Sequence, residues 1–342
     1  MNVKQQRITL SKKTMRKVLF AMLLTLTVGL TASAQTRREV VRNRIDSVLR
    51  VNYEKGVYDT LYMKRPDSKL TLRLRGNLSG TSIEGKDKDD GGTIKSDLKT
   101  KPRGTISVGA SYLGLSAAVA INPASLAGKS RDTEYNINFY GNRFGLEANF
   151  LDSKTLSGDI SQAGNSIQVE KGDVRFTLFT ITGYYAFNHR RFSYPAAFTQ
   201  SYIQKRSAGS WLLGATFQSG RIKNTDDAPA YMNDTRLTMN CFAIGGGYGH
   251  NFVAKKWLFH ISAQPCLIVY NDNSVRVNGE KEKTGTHFPE MIFNTRAAII
   301  YNINRKYFAG STFLFNTTVL GDKDEYTDLL KWRARAFVGI RL

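Results

Sequence analysis

The chain has 342 residues, with 49 lysines and arginines against 28 acids, a formal charge of +21, and a mean hydropathy of −0.33. An apolar content of 41%, with 11% aromatics, excludes a disordered chain, and two cysteines exclude a disulfide scaffold or a Cys₄ zinc module. The mean hydropathy argues against a bundle of membrane helices but leaves open a transmembrane β-barrel, whose two-faced strands average to neutral.

Residues 1–17 carry Lys4, Arg7, Lys12, Lys13, Arg16 and Lys17 and no acid. The apolar stretch Val18 to Thr31 follows, and Ala32-Ser33-Ala34 offers small residues where a signal peptidase reads. The stretch falls short of the ~20 residues of a spanning helix. Residues 1–34 are therefore expected to be a cleavable secretory signal, with Gln35 as the new N-terminus. A membrane anchor is the alternative. Export removes six of the basic residues and weakens a nucleic-acid reading of the charge, as does the lack of a recognition helix.

Thr36 to Lys55 predicts a helix, with Val40, Val41, Ile45, Val48 and Leu49 near one face. Asp59 to Pro66 reads as a short extended arm ended by proline. Residues 35–66 are thus expected to be a periplasmic helix and arm, and residues 67–342 a single domain.

From Ser68 onward, apolar and polar residues alternate. Leu70, Leu72 and Leu74 interleave with Lys69, Thr71, Arg73 and Arg75. The final segment is the clearest, with Trp332, Ala334, Ala336, Val338, Ile340 and Leu342 set against Lys331, Arg333, Arg335, Gly339 and Arg341. In a strand such sets lie on opposite faces. Twelve strands are predicted, near 68–82, 103–112, 114–122, 132–140, 143–152, 172–187, 206–222, 236–251, 256–271, 287–302, 306–319 and 330–342. Short turns alternate with long polar connections at 83–103, 122–132, 152–172, 223–236, 271–287 and 320–330. Aromatics flank three short turns: Phe187 and Phe192, Phe252 and Trp257, Tyr301 and Tyr307. This is the layout of an all-β, transmembrane antiparallel outer-membrane barrel. A soluble β-sandwich or jelly roll is the alternative, but sandwiches rarely keep strands of ten or more residues. Segment 192–205 breaks the alternation. It reads as an irregular or helical insert tucked into or under the barrel, or as an extension of the next strand.

The arm Asp59-Thr60-Leu61-Tyr62 is followed by Tyr112-x-Gly114-Leu115, Ile121-Asn122-Pro123, Gly128-Lys129, Asp132-x-Glu134-Tyr135-Asn136 and Tyr140 to Gly145. Ser207-Ala208-Gly209-Ser210 and Gly247 to Asn251 continue the pattern. In these segments the chain resembles an exported family of unknown function, DUF4421, found in Bacteroidota. The resemblance implies an outer-membrane β-barrel and no established activity.

Chemistry is sparse. Gly128-Lys129-Ser130 hints at a P-loop, but Pro123 stands where that motif needs glycine. Cys241 is expected near Ile268, diagonal to Cys266 and poorly placed for a disulfide. No histidine spacing suits a metal, and no cofactor is implied. His260-x-Ser262 is similar to the His-x-Ser pair of outer-membrane phospholipase A and lipid A deacylase barrels, in which histidine serves as base. Here Ala263-Gln264 follows the pair, no third orienting residue is evident, and the pair falls on the lumen row. A lipid hydrolase is therefore the second reading, and the non-enzymatic one is preferred.

With the apolar rows facing lipid, the lumen receives Arg73, Arg75, Glu134, Arg143, Glu147, His260, Gln264, Glu290, Arg296, Arg333, Arg335 and Arg341. Such a wall suits either a narrow, anion-favouring pore or a plugged lumen with these arginines paired to Glu134, Glu147 and the 192–205 insert. The plugged reading of the lumen is preferred, and the expected role is a narrow basic-lumen pore or an envelope structural or scaffold protein. The expected partners are outer-membrane lipid and lipopolysaccharide, the barrel-assembly machinery through the last strand, and a small anionic solute.

Overall fold

The computed structural model describes residues 58–89, 92–112, 115–121, 132–229, 235–283, 288–321 and 325–342. The expected leader over 1–34, the expected helix over 36–55 and the Gly128-Lys129-Ser130 motif lie outside these residues. Among the described residues no helix is long and apolar enough to cross a membrane.

The alternation in the sequence becomes one curled antiparallel sheet of 17 strands. Its ring is formed in order by β2 (Leu70–Asp89), β4 (Arg103–Tyr112), β5 (Leu115–Ile121), β6 (Thr133–Tyr140), β7 (Phe144–Ser153), β10 (Val174–Ala186), β12 (Ala208–Asn224), β13 (Thr235–Ala254), β14 (Trp257–Asn271), β17 (Met291–Asn302), β18 (Tyr307–Gly321) and β19 (Tyr326–Arg341). These twelve lie where the alternation places them. The ring closes because β19 pairs with β2, from Arg341 opposite Thr71 to Tyr326 opposite Lys86. Closure removes the edges that an open sheet would leave unpaired.

The remaining five strands, β3 (Gly92–Thr100), β8 (Leu156–Gln162), β9 (Asn165–Val169), β15 (Ser274–Val277) and β16 (Glu280–Lys283), extend the wall at the long-connection end. β3 pairs with the upper half of β2 and with β8, and β15 pairs with the start of β13. They lie in connections expected to be loops. β9 and β16 carry hardly any buried residue, so no hydrophobic alternation marks them.

Burial assigns the faces. Outward side chains such as Leu74, Val108, Ile137, Phe144, Trp211, Ile261 and Val338 are exposed, whereas Arg73, Ser107, Thr216, His260, Asn294 and Thr312 are buried. Apolar residues outside and polar ones inside invert a soluble protein and fit a barrel in lipid. Near the short turns Trp257 lies 4.6 Å from Tyr301, ring centre to ring centre, and Trp211 5.3 Å from Tyr248. Phe187 and Phe252 are exposed there too. Phe192 does not join this girdle, being fully buried inside the barrel.

The inside is filled by the chain between β10 and β12. After Ala186 it turns, enters the lumen and forms the short helix α1 (Tyr194–Phe198). Ser193 caps the helix by accepting from the Ala196 N–H at 3.2 Å, and Pro195 suits its first turn. Segment 192–205 is thus a plug. Phe192, Tyr194, Ala196 and Phe198 pack with Tyr140, Tyr184, Leu258, Ile300 and Phe308 from strands on all sides. The wall gives space by omitting side chains: a Cβ at Gly249 would lie 3.2 Å from the Phe192 ring.

An arm fastens the plug from the short-turn side. β1 (Met63–Lys64) pairs with β11 (Ile203–Gln204). The Lys205 N–H donates to the Tyr62 carbonyl at 2.7 Å, and that of Asp59 to the Arg190 carbonyl at 2.8 Å. Arg191 pairs with Asp59 at 3.2 Å and lies over the Tyr62 ring.

Candidate functional site

The polar rows of twelve strands converge on the lumen, and charge pairing orders them. Arg333 on β19 pairs with Glu134 on β6, across the barrel in sequence but beside it in space. Glu134 also accepts from the Ser79 hydroxyl at 2.8 Å and from Asn149 at 3.0 Å. Arg296 reaches Glu147 at 3.2 Å, and Glu147 accepts a further bond from the Tyr140 hydroxyl. Arg103 lies 3.4 Å from Asp132 and 3.6 Å from Glu134. Arg73 donates to the Thr199 carbonyl at the end of α1, and to Ser111 at 2.7 Å. A cation there satisfies a carbonyl at the helix C-terminus.

The other residues expected in the lumen divide. Arg75, Arg335 and Gln264 face inward; Gln264 is 1% exposed, and neither end of its amide has a partner among the described residues. Glu290 lies towards the long-hairpin end, accepting from Asn271. Arg341 lies at the short-turn end, 2.8 Å from the Asn302 side-chain oxygen and 4.5 Å above the Phe308 ring. Arg143 is not in the lumen. It sits at the exposed rim, donating to the Tyr185 hydroxyl at 3.2 Å, because it belongs to the turn before β7 and escapes the alternation of the strand.

His260 and Ser262 do belong to a relay, and it has a third member. Asn251 on β13 lies opposite His260 on β14. The Asn251 amide nitrogen donates to the Ser193 carbonyl at 2.9 Å and to the Gln204 side-chain oxygen at 3.1 Å. Its oxygen therefore faces His260 Nδ1, 2.7 Å away, and must accept. That places the proton on Nδ1 and leaves Nε2 to accept from Ser262 Oγ at 3.0 Å. Tyr194 of the plug donates to the same Oγ at 2.8 Å. The order is nucleophile, base and orienting group. The rings of Phe192, Tyr194 and Phe198 lie 5.9, 5.0 and 5.2 Å from that of His260 and shut the relay away. Ser262 is 2% exposed.

Register explains why Asn251 escapes the sequence. The hairpin turns tightly on Lys255 and Lys256, with Lys255 at φ 52°, so Ala254 pairs with Trp257. The expected longer turn shifts the partners by two residues. The same register, with a bulge at Phe242/Ala243, sets Cys241 opposite Asn271 and Gly245 opposite Cys266. Ile268 is therefore the partner of Ala243 and not of Cys241, and both cysteines are free and buried. Among the described residues no group of three or more metal-binding side chains occurs.

With this geometry in place, the chain can be compared with known proteins. Residues 57–341 match the family described as Domain of unknown function (DUF4421). The chain belongs to this family. No curated protein matches it. Among solved structures, the DUF4421 chain is similar to the outer membrane protease OmpT of Escherichia coli, with TM-score 0.45, 8% identity, and coverage of 81% of this chain and 97% of that one. It is also similar to the translocator domain of the autotransporter NalP from Neisseria meningitidis, with TM-score 0.30, 9% identity, and coverage of 91% and 100%. A third is the outer membrane protein OprG of Pseudomonas aeruginosa, with TM-score 0.27, 10% identity, and coverage of 80% and 96%.

Proposed function

We propose that this DUF4421 chain is an outer-membrane barrel with a shut lumen, serving the envelope as a structural, scaffolding element rather than as an open pore. The observation that carries this reading is the plug, whose buried aromatic residues bond to strands around the ring. The arm latched beneath it gives the scaffold a periplasmic attachment, and the basic leader fits export.

The test is conductance in planar bilayers. The mature protein is expected to show no steady current, and replacing residues 193–201 by a short glycine linker is expected to open an anion-favouring one. Arg333→Glu in that background lowers the anion preference. Steady conductance of the intact protein would sink the scaffold reading and restore the pore.

The Ser262–His260–Asn251 relay favours a second reading, a lipid hydrolase that acts only when the plug is displaced. Phospholipid or lipid A deacylation abolished by both Ser262→Ala and His260→Ala would establish it. Lipid profiles unchanged on deleting the protein would exclude it.

A further inference from the structure

Above the plug, the lumen holds more positive charge than its carboxylates neutralise. Arg333 and Arg296 each have an acid partner. Among the described residues Arg75, Arg335 and Lys331 have none within ion-pair distance, although Arg75 and Lys331 are at least nine-tenths buried. Lys331, Arg333 and Arg335 succeed one another on the inner row of β19, and Arg75 enters from the neighbouring β2, opposite Phe337. Burying charges of one sign is costly unless a counter-charge joins them.

Beside this strip lies a small recess of about 40 Å³. Asn136, Asn149, Thr182, Gln218, Asn316 and Lys331 line it, with Arg333 and Glu147. Gln218 is 3% exposed. Its oxygen accepts from Thr318 at 3.2 Å, while its nitrogen has no partner. A buried amide nitrogen left over beside an unpaired ammonium group is the donor set that an oxyanion satisfies.

We propose that this mid-lumen recess binds a small oxyanion, the phosphate or carboxylate group of a hydrophilic solute. Lys331 is its charged ligand and Gln218 Nε2 a neutral donor, with Arg333 on the same recess. The site stands whether or not the barrel conducts, since it rests on the wall and not on the plug.

The mature chain, folded in detergent micelles, is titrated calorimetrically with inorganic phosphate and separately with citrate, with sodium chloride at matched ionic strength as control. Saturable binding of either oxyanion is expected, and the tighter of the two identifies the group. Lys331→Gln and Gln218→Leu should each weaken it about tenfold or more, while Lys331→Arg retains it. Every variant is first checked for the compact gel mobility of the unheated protein. If Lys331→Gln fails to fold, Gln218→Leu and Lys331→Arg decide in its place. Binding of neither oxyanion at ~10 mM, an equal response to chloride, or unchanged affinity in Gln218→Leu would overturn the site.

Discussion

Asn251 joins three parts of the molecule with one amide. It orients His260, donates to the Ser193 carbonyl at the start of the plug and donates to Gln204 beside the arm. Asn251→Ala takes the partner from His260 Nδ1 and a donor from the Ser193 carbonyl, while Gln204 Oε1 keeps the Ser193 N–H; a buried group left unpaired costs roughly 1–3 kcal/mol. Urea unfolding in micelles should show a drop of at least that size, whereas Ser262→Ala, which removes one hydroxyl of the relay, should show a smaller one. At this scale the sequence is readable only where strand parity governs. Arg73, Arg296, Arg333 and Arg335 are found inside by counting alternate residues. Arg143 is not, because it lies in a turn, and Asn251 is not, because the register of a hairpin depends on a turn conformation that Lys255 adopts without a glycine or asparagine to announce it.

Among the elements, the plug is bonded to the wall through Arg73, Asn142, Asn251 and Ser262, and its flanks to the arm through Asp59, Thr60 and Tyr62. Arg73 closes the end of α1 and bridges it to β4 through Ser111. Arg73→Met removes the charged donor from the Thr199 carbonyl, leaving it only the long 3.5 Å bond from Ser111, while keeping most of the side-chain volume. Limited proteolysis of that variant should cut within 188–206, where the wild type is protected, while the remaining barrel keeps its heat-modifiable gel shift. Equal protection would show that the arm alone holds the plug. The sequence marks 192–205 only as a failure of alternation; its seat inside the ring depends on contacts with strands far away in the chain. The extra hairpins at the other end are illegible for a different reason. Strands that project beyond lipid have water on both sides, so β9 and β16 need no apolar row.

For the whole molecule, the charge of +21 that opens the sequence takes a definite distribution. Part sits in residues 1–17, and part faces inward as Arg73, Arg75, Arg296, Arg333 and Arg335, where the glutamates answer some of it. The twelve-strand ring is legible because alternation runs the length of the wall, ending with β19 against β2. The tiers of the lumen are not. An aromatic plug, a polar middle and the apolar clusters around Leu151 and Cys266 come from different strands, and no short stretch of sequence contains more than a fragment of any tier.

The plug also lies near the middle of the described chain, with six ring strands before it and six after β10 turns inward. Its partners fall on both sides of that point: Arg73, Ser111 and Tyr140 come before it, Ser262, Ile300 and Phe308 after it. The plug therefore ties the first half of the wall to the second from inside the ring. It is a spacer as well as a stopper: residues that shut the lumen also hold opposite strands of the ring at a set distance, so enlarging or shrinking them bears on the closure of β19 against β2.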